Sequence, residues 1–533
     1  MAGRASGSSR ADGTSDASRA RGVSGADGAS TADSANGADS ASGVGLGPGR
    51  PAGVAAPPPG TLSTITRLAF LGGPMLSMID SSVVNIAVPG IVTSLHTSLG
   101  TAAWAVSGYL LGLAAGLAAT PWLARRFGTL PAYQAALAGF IVASTCCALA
   151  PDIGVLIATR VLQGLAGAPM VPLAMGLLLG RGNGARAMPV SAGLLLFAAP
   201  ALGPAIGGLL ISGFGWRSVF LINLPIGVAA WAGVRPARRA LADGGDRAAR
   251  LDLAGLLLLA TGLALATYGA SQGPGRGWLS AAAAPAWTSG LVLMAGYLWW
   301  VRRRADSPAR PPAVSLSLLA SPLRSVTLGL ACVASVVLFA VLFLVPVFLQ
   351  DVQHRSATVA GLVLLPQGIV MGLASWLGNS VVERGKARPA VIAYSVSGGL
   401  ALLAASTAGL ALLSAQTPAW LTAALLCGRG VALGLTVQPL VLALVGDLDD
   451  ARMPDANTLF NIAERLSGSF GIALLATYYA ARTRLTGSAV VALHDCALLL
   501  AAVSAAGALA ALTLRGRDRR GHATMDMAAK DAG

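Results

Sequence analysis

After residue 65, mostly apolar runs of about 18 or more residues recur along nearly the whole chain, and about 20 residues suffice to cross a bilayer. Lipid offers the backbone no hydrogen-bond partner, so a chain built of such runs must be helical wherever it is immersed. The runs fall at 68–91, 102–121, 132–150, 155–179, 188–212, 217–234, 253–272, 286–301, 325–349, 358–381, 389–413, 419–445, 457–480 and 491–513. That gives fourteen expected spans, of which the eighth is short. Composition agrees: 11% of residues are charged and mean hydropathy is +0.69, where a soluble protein carries about 25% charged residues. The expected fold class is an all-α polytopic membrane protein.

The net charge of +15 invites a nucleic-acid reading, but the placement of the basic residues opposes it. With the N-terminus inside, eighteen basic residues fall on cytoplasmic connections, and five, Arg217, Arg276, Arg355, Arg482 and Arg484, on external ones. This bias places both termini in the cytoplasm and the chain in the cell membrane, with lipid and not nucleic acid as the partner of its basic residues. Residues 1–64 are Ala, Gly, Ser, Asp, Arg and Pro with few large apolar side chains, so a disordered cytoplasmic tail is expected there, and a second tail at 515–533. The first tail lacks the apolar core of a cleavable signal, so the first span is expected to direct insertion. Five cysteines in or beside apolar spans read as small core residues, and the four histidines lack metal-ligand spacing, so neither a metal nor another cofactor is expected.

The spans group as six, two and six. A six-helix bundle is expected over 65–235, a linker carrying spans 7 and 8 over 236–310, and a second six-helix bundle over 311–514. Such a duplicated layout puts a transport site between the halves near the midplane. Arg160 and Arg429, each in an apolar span and each followed by glycines, are a weak internal echo of the duplication.

Asp80 is the residue in these spans that demands an explanation. A carboxylate in the middle of a span costs roughly 2.5–3.5 kcal/mol on insertion scales, so such groups face a pathway or a partner. Arg160, Gln163, Gly164 and Gly167 share one polar and small face of span 4, and a cation at that depth needs an acceptor; Asp80 is the obvious carboxylate in the same half. The plain alternative is a structural pin between spans 1 and 4. In span 13, Asn457, Asn461, Glu464, Gly468 and Gly471 line one narrow face expected to look into the bundle or a wet cavity, making Glu464 a second proton or cation candidate, with a boundary carboxylate as the alternative. Asn85, Gln163, Gln367, Gln438, Asn457 and Asn461 are the amides expected at a substrate cavity. Trp104, Tyr109, Phe343, Phe348 and Trp376 are candidate apolar walls, with packing or interface anchoring as the alternative for them and for Asn85, Gln367 and Gln438. Gly203, Pro204, Gly207 and Gly208 make span 5 bent and closely packed, suited to sealing and pivoting.

Four segments taken in order resemble the major facilitator superfamily, and more narrowly its 14-span drug–proton antiporters. They are Asp80-Ser-Ser-Val-Val-Asn85-Ile-Ala-Val-Pro89 in span 1, Arg160-Val-Leu-Gln163-Gly164 in span 4, Gly203-Pro204-Ala-Ile-Gly207-Gly208 in span 5, and Trp216-Arg217-Ser-Val-Phe220-Leu-Ile-Asn223-Leu-Pro225 opening span 6. The resemblance covers residues 65–514. It implies a monomeric, proton-driven exporter of lipophilic drugs or antibiotics, cations included, with Asp80, Arg160 and Glu464 in proton coupling and the span 5 glycines as an antiporter signature. An importer or symporter on the same scaffold is the alternative, and a polytopic enzyme or sensor a more distant one. The turn after span 2 departs from the family pattern. Arg125 stands in its acidic place, and Leu123, Arg126 and Gly128 are what remains of the gating loop. Walker, His-Glu-x-x-His and Gly-x-Ser-x-Gly patterns are absent and the loops are short, so an enzyme is not expected.

Overall fold

The structure, a computed structural model, describes residues 63–179, 190–238, 245–281, 283–304, 317–384, 389–446, 448 and 452–515, all within one compact unit, Val54–Gly533. The expected tails lie almost wholly outside the described residues, as do the loop residues Arg181 and Arg186. Every regular element among the described residues is a helix. They run α1 Thr64–Ser94, α2 Leu99–Phe127, α3 Thr129–Ala148, α4 Ile153–Gly167 continuing as Met170–Leu179, α5 Val190–Phe214, and α6 in two pieces, Ser218–Leu221 and Asn223–Gly233. Then follow α7 Leu253–Arg276, α8 Ala284–Arg304, α9 Pro322–Asp351, α10 Ala357–Arg384, α11 Pro389–Ala408, α12 Ala419–Val445, α13 Met453–Thr486 and α14 Ala489–Ala511.

Among the described residues eleven helices are long and apolar enough to cross a membrane, against the fourteen expected. The other three expected spans fall on α5, of which the apolar piece Ala201–Phe214 qualifies as a shorter helix, and on α8 and α13. Composition explains the last two: α8 ends in three arginines, and α13 carries Asn457, Asn461, Glu464 and Arg465, so length is met while apolarity is not. The break in α4 comes at Ala168-Pro169, because proline lacks the N–H that would continue the helix. Several helix starts are capped in the usual way. Ser98 accepts from the Thr101 N–H, and Asp152 from those of Gly154 and Val155.

α1–α6 pack on one another and α9–α14 do likewise, and the two sets meet along α5 against α10 and α2 against α13. Glycines set the spacing at the first seam. A Cβ on Gly208 would stand 2.4 Å from the Ala357 carbonyl oxygen, and one on Gly361 would stand 2.1 Å from that of Pro204. On its other side α5 touches α1, where Gly203 faces Ser82 and Gly207 faces Val83. The expected close packing of this span is therefore present on two sides. At the second seam Ser107 and Ser469 each donate a hydroxyl to the other's backbone carbonyl, at 3.1 and 3.0 Å.

Burial differs along the helices. In α1 residues 82–89 are buried without a gap, as are 343–349 in α9, whereas Gly72, Met75, Met78, Ile79 and Ser81 are only half-buried. In α13 Asn461 and Ala463–Ser467 are half-buried too. The assembly is thus sealed toward the face where α1 and α9 end and looser toward the face where they begin. Gly372 of α10 and Gly176 of α4, both toward the looser face, have no heavy atom within 4 Å of a Cβ position.

Candidate functional site

α1, α2, α4 and α6 converge on Asp80. Arg160 Nη1 donates to its Oδ2 at 2.5 Å, and the side-chain amides of Gln163 and Asn223 donate to Oδ1 at 3.1 and 2.9 Å. Both members of the ion pair are 0% exposed. Arg160 also donates to the Gln163 Oε1 at 2.7 Å and, through Nε, to the Ala105 carbonyl at 2.9 Å. Its guanidinium lies 4.0 Å over the Tyr109 ring, and the Tyr109 hydroxyl donates to the Ser77 carbonyl at 3.1 Å. The close approach of α4 to α2 relies on Gly164, where a Cβ would stand 2.2 Å from the Tyr109 carbonyl oxygen, and this draws Arg160 inward.

The chemistry of this cluster follows from its donors. Each of the three groups that bond Asp80 presents an N–H, which suits a carboxylate, an acceptor-only group. Together they tie α1, α4 and α6. Breaking such a pair by removing one partner costs about 3–5 kcal/mol, because the remaining charge is left buried.

Sequence reasoning brought Asp80, Arg160 and Gln163 together but did not single out Asn223. Its amide is oriented by Ser144: the Ser144 hydroxyl donates to the Phe220 carbonyl at 2.9 Å, so its oxygen is left to accept from Asn223 Nδ2 at 3.0 Å. The available signal was an amide within an otherwise apolar span six residues into the Arg217 segment. Asn223→Leu, alike in branching, is expected to cost about 1.5–3 kcal/mol, the worth of a hydrogen bond to a charged group, read as a lower melting temperature in detergent.

The six amides expected at one cavity fall in different settings. Gln163 belongs to the Asp80 cluster. Asn85, 2% exposed, lies in the sealed part of α1, donating to the Ser81 and Ser82 carbonyls with its Oδ1 unpartnered. Gln367, 3% exposed, also has an unpartnered Oε1, and Gln438 is half-buried. Asn457 is exposed, and Asn461 donates to its carbonyl at 2.8 Å. The stripe on α13 accordingly changes character along its length. Asn461 and Glu464 are half-buried, while Gly468 and Gly471 are packed against Phe339 and Val336 of α9. No hydrogen bond or ion pair reaches Glu464 among the described residues, and Arg465 lies 5.8 Å from the Phe339 ring centroid. Tyr109, Phe343 and Phe348 are buried, and Trp376 is 71% exposed. Gly128, at φ +88°, ends α2 with its N–H on the Ala124 carbonyl, and Arg126 beside it is half-exposed.

Arg429 shows how far the internal echo goes. It is fully buried like Arg160, bonded to the Thr407 hydroxyl and the Val337 carbonyl, but it has no carboxylate partner among the described residues and its Nε is unpartnered. The two halves share a buried arginine, and the first alone answers it with an acid.

With this geometry in place, comparison with known proteins is informative. The family model for the Major Facilitator Superfamily matches residues 70–472. The chain belongs to that superfamily. It is 31% identical over 413 residues to a multidrug resistance protein B homolog of Mycobacterium tuberculosis, covering 75% of this chain and 73% of the relative. It is 32% identical over 446 residues to a tetracenomycin C resistance and export protein of Streptomyces glaucescens, covering 81% and 79%. In fold it is similar to the POT family transporter PepTSo, at a TM-score of 0.62 and 14% identity, over 85% of this chain and 98% of that one. Major Facilitator membership accounts for the two sets of six helices meeting along paired seams.

Proposed function

We propose that this chain is a proton-driven drug efflux transporter, a 14-span member of the superfamily with two six-helix bundles, an inserted helix pair and both termini in the cytoplasm. The observation that carries the coupling is the fully buried Asp80–Arg160 pair, held by α1, α4 and α6. With the termini inside, the looser face is cytoplasmic, and the conformation corresponds to the inward-facing state with Asp80 as carboxylate. A proton arriving from outside would neutralise Asp80, release its hold on Arg160 and Asn223, and free α1 to move against α4 and α6. Drug leaves on the outside; the proton leaves on the inside and the pair re-forms. The relatives named for multidrug resistance and for export of an antibiotic support the same direction of transport.

Energetically one proton suffices for a useful gradient. It brings ~2.3 kcal/mol per 100 mV and ~1.4 kcal/mol per pH unit, enough together for a gradient of about several hundredfold in a neutral compound. Glu464, half-buried toward the looser face, is the second acidic candidate and the group suited to a cationic drug. Glu464→Gln is expected to weaken efflux of cationic dyes more than of neutral compounds, with stability changed by no more than about 0.5 kcal/mol.

The deciding experiment uses everted membrane vesicles acidified by respiration, with a lumenal pH dye. Adding a transported drug is expected to alkalinise the lumen, as drug enters and protons leave. Acidification on adding substrate would identify a symporter and overturn the reading.

A further inference from the structure

The turn that ends α2, where Arg125 stands in the family's acidic place, is gripped by another part of the chain. The Asp246 backbone N–H donates to the Arg125 carbonyl at 2.7 Å, satisfying one of the free carbonyls at the end of α2. Gly245 sits so close that a Cβ would stand 2.3 Å from the Arg126 carbonyl oxygen and 2.9 Å from the Phe127 carbonyl carbon, contacts that only glycine permits. The Trp122 indole of α2 donates to the Ala249 carbonyl at 3.3 Å. Asp246 shapes the segment from within: its Oδ1 accepts from the Ala248 N–H at 2.8 Å.

Six residues after Asp246, Asp252 carries this hold into the inserted pair. Its carboxylate caps α7 through the Gly255 N–H at 3.1 Å and accepts from the Trp300 indole of α8 at 3.0 Å, with Arg304 at 3.7 Å. Near its far end α7 touches α2 again, where the Tyr268 and Trp104 rings lie 6.0 Å apart. Toward α13 the contacts of α7 are of another kind. Leu259 and Leu263 of α7 line a small apolar cavity together with Leu111, Ala114 and Ala115 of α2 and Leu466 of α13, and the Cβ position of Gly275 lies 3.9 Å from the Thr477 methyl. No hydrogen bond or ion pair joins α7 to α13 among the described residues. Directional bonds hold a register, whereas apolar contact is non-directional and permits packed helices to slide.

We propose that Gly245–Asp252 is a strap that makes α7 and α8 travel as one body with α1–α6, while α13 slides along α7 when the transporter changes face. The inference rests on the transport reading above. It is tested with two cysteine pairs in a chain whose five native cysteines are replaced: Arg125→Cys with Asp246→Cys across the strap, and Gly275→Cys with Thr477→Cys between α7 and α13. Drug efflux is measured in vesicles before oxidation, after it, and after reduction. Oxidising the strap pair is expected to leave the rate unchanged; oxidising the α7–α13 pair is expected to lose efflux, with recovery on reduction. Arrest by the strap disulfide, or undiminished efflux with the α7–α13 disulfide formed, overturns the proposal. If neither reduced variant exports drug although both are inserted, the transport reading falls and this inference with it.

Discussion

Asp80→Asn is expected to bring proton-driven efflux down to the passive leak rate. The substitution keeps the shape of the side chain but removes its charge. It also strands Arg160, which would retain the Gln163 amide oxygen and the Ala105 carbonyl but no anion. An unpaired charge at such a position costs about 3–5 kcal/mol, so low yield or a depressed melting temperature is expected with this variant alone. Loss of transport could then be blamed on folding. Adding Arg160→Gln removes the stranded cation, and the double variant is expected to regain most of the melting temperature while efflux stays at the leak rate. If efflux returned with stability, the pair would be a structural pin and the coupling role would fall.

Gly361→Ala is expected to damage the seam between α5 and α10. Its Cβ would stand 2.1 Å from the Pro204 carbonyl oxygen and 2.8 Å from its carbon, and backbone atoms cannot swing aside as a side chain can. The two helices must separate. Overpacking of this kind costs typically about 1–3 kcal/mol, and here it falls on the sealed side of the transporter, so a proton leak is expected along with a lower melting temperature. Gly372→Ala on the same helix is the control, since its Cβ position has no heavy atom within 4 Å. That variant is expected to stay within about 0.5 kcal/mol of the parent, without leak. Dye-monitored proton entry into proteoliposomes checks both. Equal behaviour of the two variants would show that the close approach at Gly361 does not form the seal.

Why some of these residues were legible and others not is a matter of range. The helical character of each span follows from local facts: run length, backbone bonds four residues apart, and lipid's refusal of unsatisfied polar groups. The cost of a carboxylate within a span is also local, so Asp80 stood out at once. Asn223 did not. An amide inside an apolar span is unremarkable until Ser144 and Asp80 are seen on either side of it. The amides show the same limit from the other side: residues alike in type sit on α1, α4, α10, α12 and α13 in different surroundings, and local sequence does not reveal which helix faces meet.

Sequence alone determined a helical, membrane-crossing chain, its superfamily motifs and the acid that lies within its first span, because partition into lipid and helix formation are summed over neighbours in the chain. Tertiary structure alone decided that Asn223 joins the Asp80–Arg160 pair, that Arg429 meets no acid among the described residues, that the wall near Gly361 is closed, and that the segment after Gly245 holds the end of α2. Those outcomes depend on which helices become neighbours across tens or hundreds of residues, and no local preference encodes that choice.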